Sequence, residues 1–208
     1  SITGSGSTAT GQLEFADASG THVLLDDTYI SSNTASITYS SSLINDTYEQ
    51  YIITGTGIRV HTNAKGNILA YFSNDNGSSY NTSNGDYVRS VLIGQGGLSD
   101  NALNARHGND DAIQITGNAF DFGRDGNAGH AANFILRCYN LRNLDTDFAQ
   151  NRYVNLQSTY DDRDSTHGVS CKGDYIFMAN TTEINNIQLS VSHSNTFGQG
   201  EFRLYGVK

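Results

Sequence analysis

The closing nine residues, Gly200-Glu201-Phe202-Arg203-Leu204-Tyr205-Gly206-Val207-Lys208, decide how the rest of the chain is read. Successive strand residues point to opposite sides, so Phe202 and Leu204 share one face while Tyr205 and Val207 share the other. A strand at a free end ordinarily keeps one face polar. A doubly apolar one is central to the sheet packing or is held between its own domain and a second subunit. Phe202, Leu204, Tyr205 and Val207 are therefore the expected subunit interface.

Working outward, strand patterns recur with turn residues between them. Residues 48–56 set Tyr51 and Ile53 against Ile52 and Thr54, and residues 66–73 (GNILAYFS) set Ile68, Ala70 and Phe72 against Leu69 and Tyr71. Ile187, Leu189 and Val191 alternate with Gln188, Ser190 and Ser192, the pattern of a half-buried antiparallel strand. Similar runs fall at 22–25, 35–39, 87–93, 132–139, 152–160 and 168–178. Asp75-Asn76-Gly77 predicts a tight hairpin turn, since Asn-Gly meets the positive-φ demand. Helical periodicity is missing, and residues 102–105 (ALNA) would make one helical turn at most.

These runs predict an all-β chain, an antiparallel β-sandwich of jelly-roll type spanning residues 21–208. Residues 1–20 read as a flexible connector or arm, because SITGSGSTATG has almost nothing to bury. A chain that begins with Ser1 is expected to be processed or a piece of something longer. Residues 94–129, rich in Gly, Asn and Asp, read as a long irregular loop in the middle of the domain, and a connection of that length is usually functional.

Composition narrows the partners. The formal charge is -9, and the twelve Lys and Arg residues form no patch, which argues against nucleic acid or an anionic membrane face. No run reaches the length of a membrane-spanning helix, so membrane insertion is not expected. Only 16% of residues are charged, with small polar residues filling the difference, a surface that suits an extracellular or particle-exposed protein. Cys138 alternates with Phe134 and Leu136 and reads as a small buried hydrophobe; Cys171 leaves room for at most one disulfide.

Three stretches carry a family resemblance. They are Asp46-Thr47-Tyr48-Glu49-Gln50-Tyr51-Ile52-Ile53 running on to Gly57-Ile58-Arg59, then residues 69–80 (LAYFSNDNGSSY), and the closing GEFRLYGVK. Together they resemble a β-rich domain of tailed-bacteriophage tail-fibre and virion appendage proteins, in which a TYD-x-Y strand leads to an FSxDGGxxY hairpin and the chain ends in GxFxLYGIK. Here Asp75-Asn76-Gly77 stands where that family often has Asp-Gly-Gly. The resemblance implies a virion component, a homotrimeric jelly-roll tip that binds the host surface or holds other virion proteins. It transfers no catalytic or ligand residue.

The residues themselves offer several chemistries. Asp110-Asp111 and Asp161-Asp162-x-Asp164 are the densest carboxylate clusters, but glycoside hydrolysis needs two carboxylates facing each other across a sugar, and adjacent loop carboxylates are usually solvated turns. Asp121-Phe122-Gly123-Arg124-Asp125-Gly126 fails as an EF-hand, with Gly123 and Ala132 at ligand positions. The six histidines lack metal spacing, although His107 and His130 both fall at or beside the long loop. Gly94-Gln95-Gly96-Gly97 has no following helix or Lys to make a phosphate site. Twelve Tyr and no Trp suit sugar stacking with hydroxyl hydrogen bonds.

The expected function is non-enzymatic attachment of a phage particle to a host surface glycan, with no cofactor and no metal. The candidate ligand-binding residues are Arg106, His107, Asp110, Asp111, Arg124, Asp125 and His130 on the long loop, with Tyr160, Asp162 and Arg163 on residues 160–167. The alternatives are a capsid decoration or tail connector protein, an envelope polysaccharide depolymerase, and a cellular carbohydrate-binding module.

Overall fold

A computed structural model describes residues 22–61, 66–96, 102–117, 131–142, 152–161, 168–179 and 182–208. The expected connector at residues 1–20 lies outside the described residues. In chain order the strands are β1 (His22–Ile30), β2 (Ser36–Tyr39), β3 (Gln50–Val60), β4 (Ile68–Ser73), β5 (Tyr87–Gly96) and β6 (Ala102–Asp110). They continue with β7 (Ile113–Gln114), β8 (Ala132–Tyr139), β9 (Arg152–Asp161), β10 (Gly168–Phe177), β11 (Asn186–Val191) and β12 (Phe197–Val207).

Two antiparallel sheets result, one of eight strands in the order β1-β12-β3-β8-β9-β10-β5-β6 and one of four in the order β2-β11-β4-β7. Eight of these strands pair by nesting: β1 with β12, β2 with β11, β3 with β8, and β4 with β7. One long hairpin folded over itself gives that wiring, which is the jelly roll with its two Greek keys. The other four strands are two inserted hairpins. β5–β6 enters between β4 and β7, and β9–β10 between β8 and β11; both widen the large sheet on its β8 side.

Alternation sets which side chains meet between the sheets. Tyr39, Ile187 and Phe72 form one row across the small sheet, and Ile37, Leu189, Ala70 and Ile113 form the next. Opposite them the large sheet presents Ile53, Leu136, Leu156, Phe202 and Leu204, all fully buried. At about 25 cal/mol per Å² of apolar surface, each such side chain contributes roughly 1.5–3 kcal/mol on burial.

Hydroxyls from the large sheet tie down the small sheet's edge. Tyr87 Oη accepts the Phe72 N–H at 2.8 Å and donates to the Asn81 carbonyl at 3.2 Å, while Tyr175 Oη accepts the Gln114 N–H at 3.1 Å. Ser158 Oγ donates to the Ile115 carbonyl at 2.6 Å. Residues 112–117 thereby lid the inner face of the inserted strands, which would otherwise be bare beyond the width of the small sheet.

Four sequence expectations change. Residues 94–129 are not an irregular loop throughout, since β5 runs to Gly96 and both β6 and β7 fall within the stretch. Residues 102–105 belong to a strand and not to a helical turn. Asn76 and Gly77 do take positive φ, 61° and 80°, yet their turn joins no hairpin: β4 pairs with β11 and β7, and β5 lies in the other sheet. Phe202 and Leu204 are buried in the protomer's own core, which removes them from any subunit interface and leaves half-exposed Tyr205 and Val207 of the expected set.

Candidate functional site

An open concavity of about 650 Å³ lies at the end of the large sheet where β5 and β9 finish and β8 and β10 begin. Its floor follows from strand register. On the outer face, Asn133, Thr159, Ser170 and Gly94 are successive partners across β8, β9, β10 and β5. One row further out, Gly168 of β10 stands between Asp161 of β9 and Gly96 of β5. Where neighbouring rows carry side chains, Gly94, Gly96 and Gly168 carry none, and the surface dips. A Cβ at Gly96 or Gly168 would meet nothing within 4 Å, so the missing side chains leave open space.

The rim supplies hydroxyls, an amide and one carboxylate. Thr159 and Ser170 sit side by side on the exposed face. Asn133 Oδ1 accepts the Gly57 N–H at 3.0 Å, which fixes the amide and leaves its NH2 directed elsewhere. Asp161 brings the acceptor oxygens. Uncharged donors and acceptors over a bare backbone floor suit a polyhydroxylated ligand, which needs many weak, directional partners. Asp161 is the one carboxylate among the described lining residues, where glycoside hydrolysis uses a pair.

The expected ligand residues divide. Arg124, Asp125, His130, Asp162 and Arg163 lie outside the described residues. Tyr160 lines the concavity but points inward and is 3% exposed, so its ring packs in the core and offers no open stacking face. Arg106 and His107 occupy the middle of β6, on its inner and outer faces. Asp110 stands seven residues beyond Leu103, the partner of Gly94, which puts it roughly 20 Å from the concavity. Asp111 follows it, exposed.

Asp110 is not the solvated loop carboxylate expected. It is buried with its Oδ2 2.6 Å from Arg89 Nη1. Burial pushes its carboxyl above the ordinary range, and the Arg89 guanidinium pulls the other way. The pair anchors the end of β6 under the sheet. Cys138 and Cys171 are both free thiols, buried; burial raises both, Cys171 to about 11, so neither is a ready nucleophile. No cluster of three or more His, Cys, Asp or Glu able to hold a metal occurs among the described residues.

Sequence reasoning read Gly94 and Gly96 only as part of a long loop and missed Gly168, Asn133, Thr159 and Ser170. The signal was present in part: Gly94-x-Gly96 places two glycines on one face of one strand. Only the long-range register sets Gly168 beside them. Comparison with protein-family models, with curated proteins and with solved structures finds no match to this chain.

Proposed function

We propose that this chain is a virion attachment protein of a tailed bacteriophage, binding a host surface glycan in the concavity at the end of its large sheet. One observation carries the reading. The two segments singled out for ligand binding, residues 94–129 and 160–167, enter or leave the same concavity through Gly94, Gly96, Tyr160, Asp161 and Gly168. The floor there is bare and the rim is hydroxyl and amide. The jelly-roll wiring supports it further, as that fold serves viral capsid and lectin domains. The phage resemblance of residues 46–59, 69–80 and 200–208 supplies the particle context.

The test fills the floor. Gly96→Val and Gly168→Val place branched side chains in open space on extended strands, so the fold keeps its stability. In binding to host cells and to an array of bacterial surface polysaccharides, the double variant should lose at least about 10-fold in affinity, roughly 1.4 kcal/mol, with an unchanged melting temperature. Undiminished binding by a folded double variant rejects the site. Binding to phage particles but to no cell or polysaccharide replaces attachment with a connector role.

A further inference from the structure

On β8, β9, β10 and β5 the outer face bears large side chains at one end and mostly short ones at the concavity end, where Leu103 of the edge strand β6, 71% exposed, is the exception. Away from the concavity, Tyr139, Tyr153 and Ile176 are register partners on β8, β9 and β10. Tyr153 is 45% exposed. The adjoining row holds Arg137, Asn155 and Asp174 on the same three strands. Asn155 Nδ2 donates to Asp174 Oδ1 at 2.9 Å, holding that carboxylate on the outer face. Among the described residues no ion pair engages Arg137, though it stands two strands from an exposed carboxylate.

We propose that two copies of this chain pair face to face through this outer surface, about a two-fold axis running along β9. The symmetry follows from the placement of charge. Arg137 lies one strand to one side of β9 and Asp174 one strand to the other, in a single row. Rotation about β9 sets Arg137 of each copy over Asp174 of the other, closing two equivalent ion pairs. Tyr139 meets Ile176 twice, and Tyr153 meets its own copy on the axis. An axis across the strands in this row would instead oppose Arg137 to Arg137 and Asp174 to Asp174.

Extent and spacing are sufficient. Overlap of the seven strands from β12 to β6 through three rows covers roughly 600 Å² on each partner, so about 1,200 Å² in all, above the ~1,000 Å² expected of a biological interface. Sheets packed face to face stand about 10 Å apart, a gap that Arg and Asp side chains bridge together. An axis along β9 also leaves both concavities at the same end. There Gly94, Gly96, Gly168, Ser170 and Thr159 are too short to fill the gap, and the two floors become the walls of one slot open at its end. The slot, unlike the dimer, rests on the glycan reading.

Sedimentation equilibrium of the full chain, without ligand, should give twice the 22.5 kDa protomer mass. Arg137→Asp and Asp174→Arg should each weaken the dimer at least ~30-fold by setting like charges against each other. The double variant, with the charges exchanged, should return to within ~5-fold of wild type. A wild-type monomer overturns the proposal, as does the homotrimer that the phage resemblance implies, or a double variant no better than its parents. The single variants, assayed on the same polysaccharide array, test the slot separately: at least 10-fold weaker binding is expected, and undiminished binding by a monomer removes the slot while the mass data still decide the dimer.

Discussion

On the inner side of the large sheet Ile53, Leu136, Leu156 and Phe202 are fully buried, while on the outer side of the same strands Ile52, Ile135, Tyr139 and Tyr153 remain half covered or open. The difference teaches where each kind of information resides. The inner face is committed to folding, and at Gly55 and Gly173 a Cβ would collide with its neighbours. The outer face keeps apolar and charged groups that the protomer does not use, together with a floor from which side chains are missing.

The sharpest break in that comparison comes from two glycines of one strand. Gly173 of β10 faces inward, and a Cβ there would lie 2.3 Å from the Ser90 carbonyl oxygen and 2.5 Å from Val91 Cα, both backbone atoms that cannot swing aside. Gly168, five residues earlier on the outer face, has open space. Gly173→Ala should therefore cost about 3 kcal/mol or fail to fold, and Gly168→Ala should stay within about 0.5 kcal/mol of wild type. Urea unfolding measures both. Equal effects would mean that the two faces are not packed as described.

A smaller loss is expected where the sheets are tied by a single hydroxyl. Tyr87→Phe takes the hydroxyl acceptor from the buried Phe72 N–H, a cost of about 1–3 kcal/mol. The outer-face control, Tyr153→Phe, should change stability by less than about 0.5 kcal/mol. The same urea series reads both, and a neutral Tyr87→Phe would dissolve the link between the layers.

The contrast between faces also explains what the sequence made legible. β3, β11 and β12 were readable because one face is buried and apolar residues return every second position, as in Ile187, Leu189 and Val191. β6 was not. It is the edge of the large sheet, and its residues are exposed or half-exposed from Leu103 to Asn109, so ALNARHGND carries no alternation. β7, two residues long, is below any pattern. Of the loops singled out by composition, residues 94–96 and 160–161 border the concavity, whereas Asp110 lies at the far end of β6. The glycine floor stayed hidden because Gly94 and Gly168 become neighbours only through the β5–β10 register. Asp110 was misread because the cation that buries it, Arg89, is remote in sequence.

The least effect belongs to a surface that neither face controls. Asp75, wholly exposed in the turn after β4, accepts the Ser79 N–H at 2.9 Å, the Ser79 hydroxyl at 2.6 Å and the Ser73 hydroxyl at 2.7 Å. These donors, Ser79 foremost, lower its carboxyl to about 2. The folded state thus binds this proton more weakly than the unfolded chain, whose Asp titrates near ~3.9. The contribution to stability is complete above that pH and disappears as pH falls through about 2. Asp75→Asn should remove this part of the acid dependence and, with it, the same contribution to stability at neutral pH, a small one because water screens an exposed carboxylate. Carboxyl-detected NMR titration gives the direct check, and a midpoint near the unperturbed value would show that the turn adds nothing which burial has not already supplied.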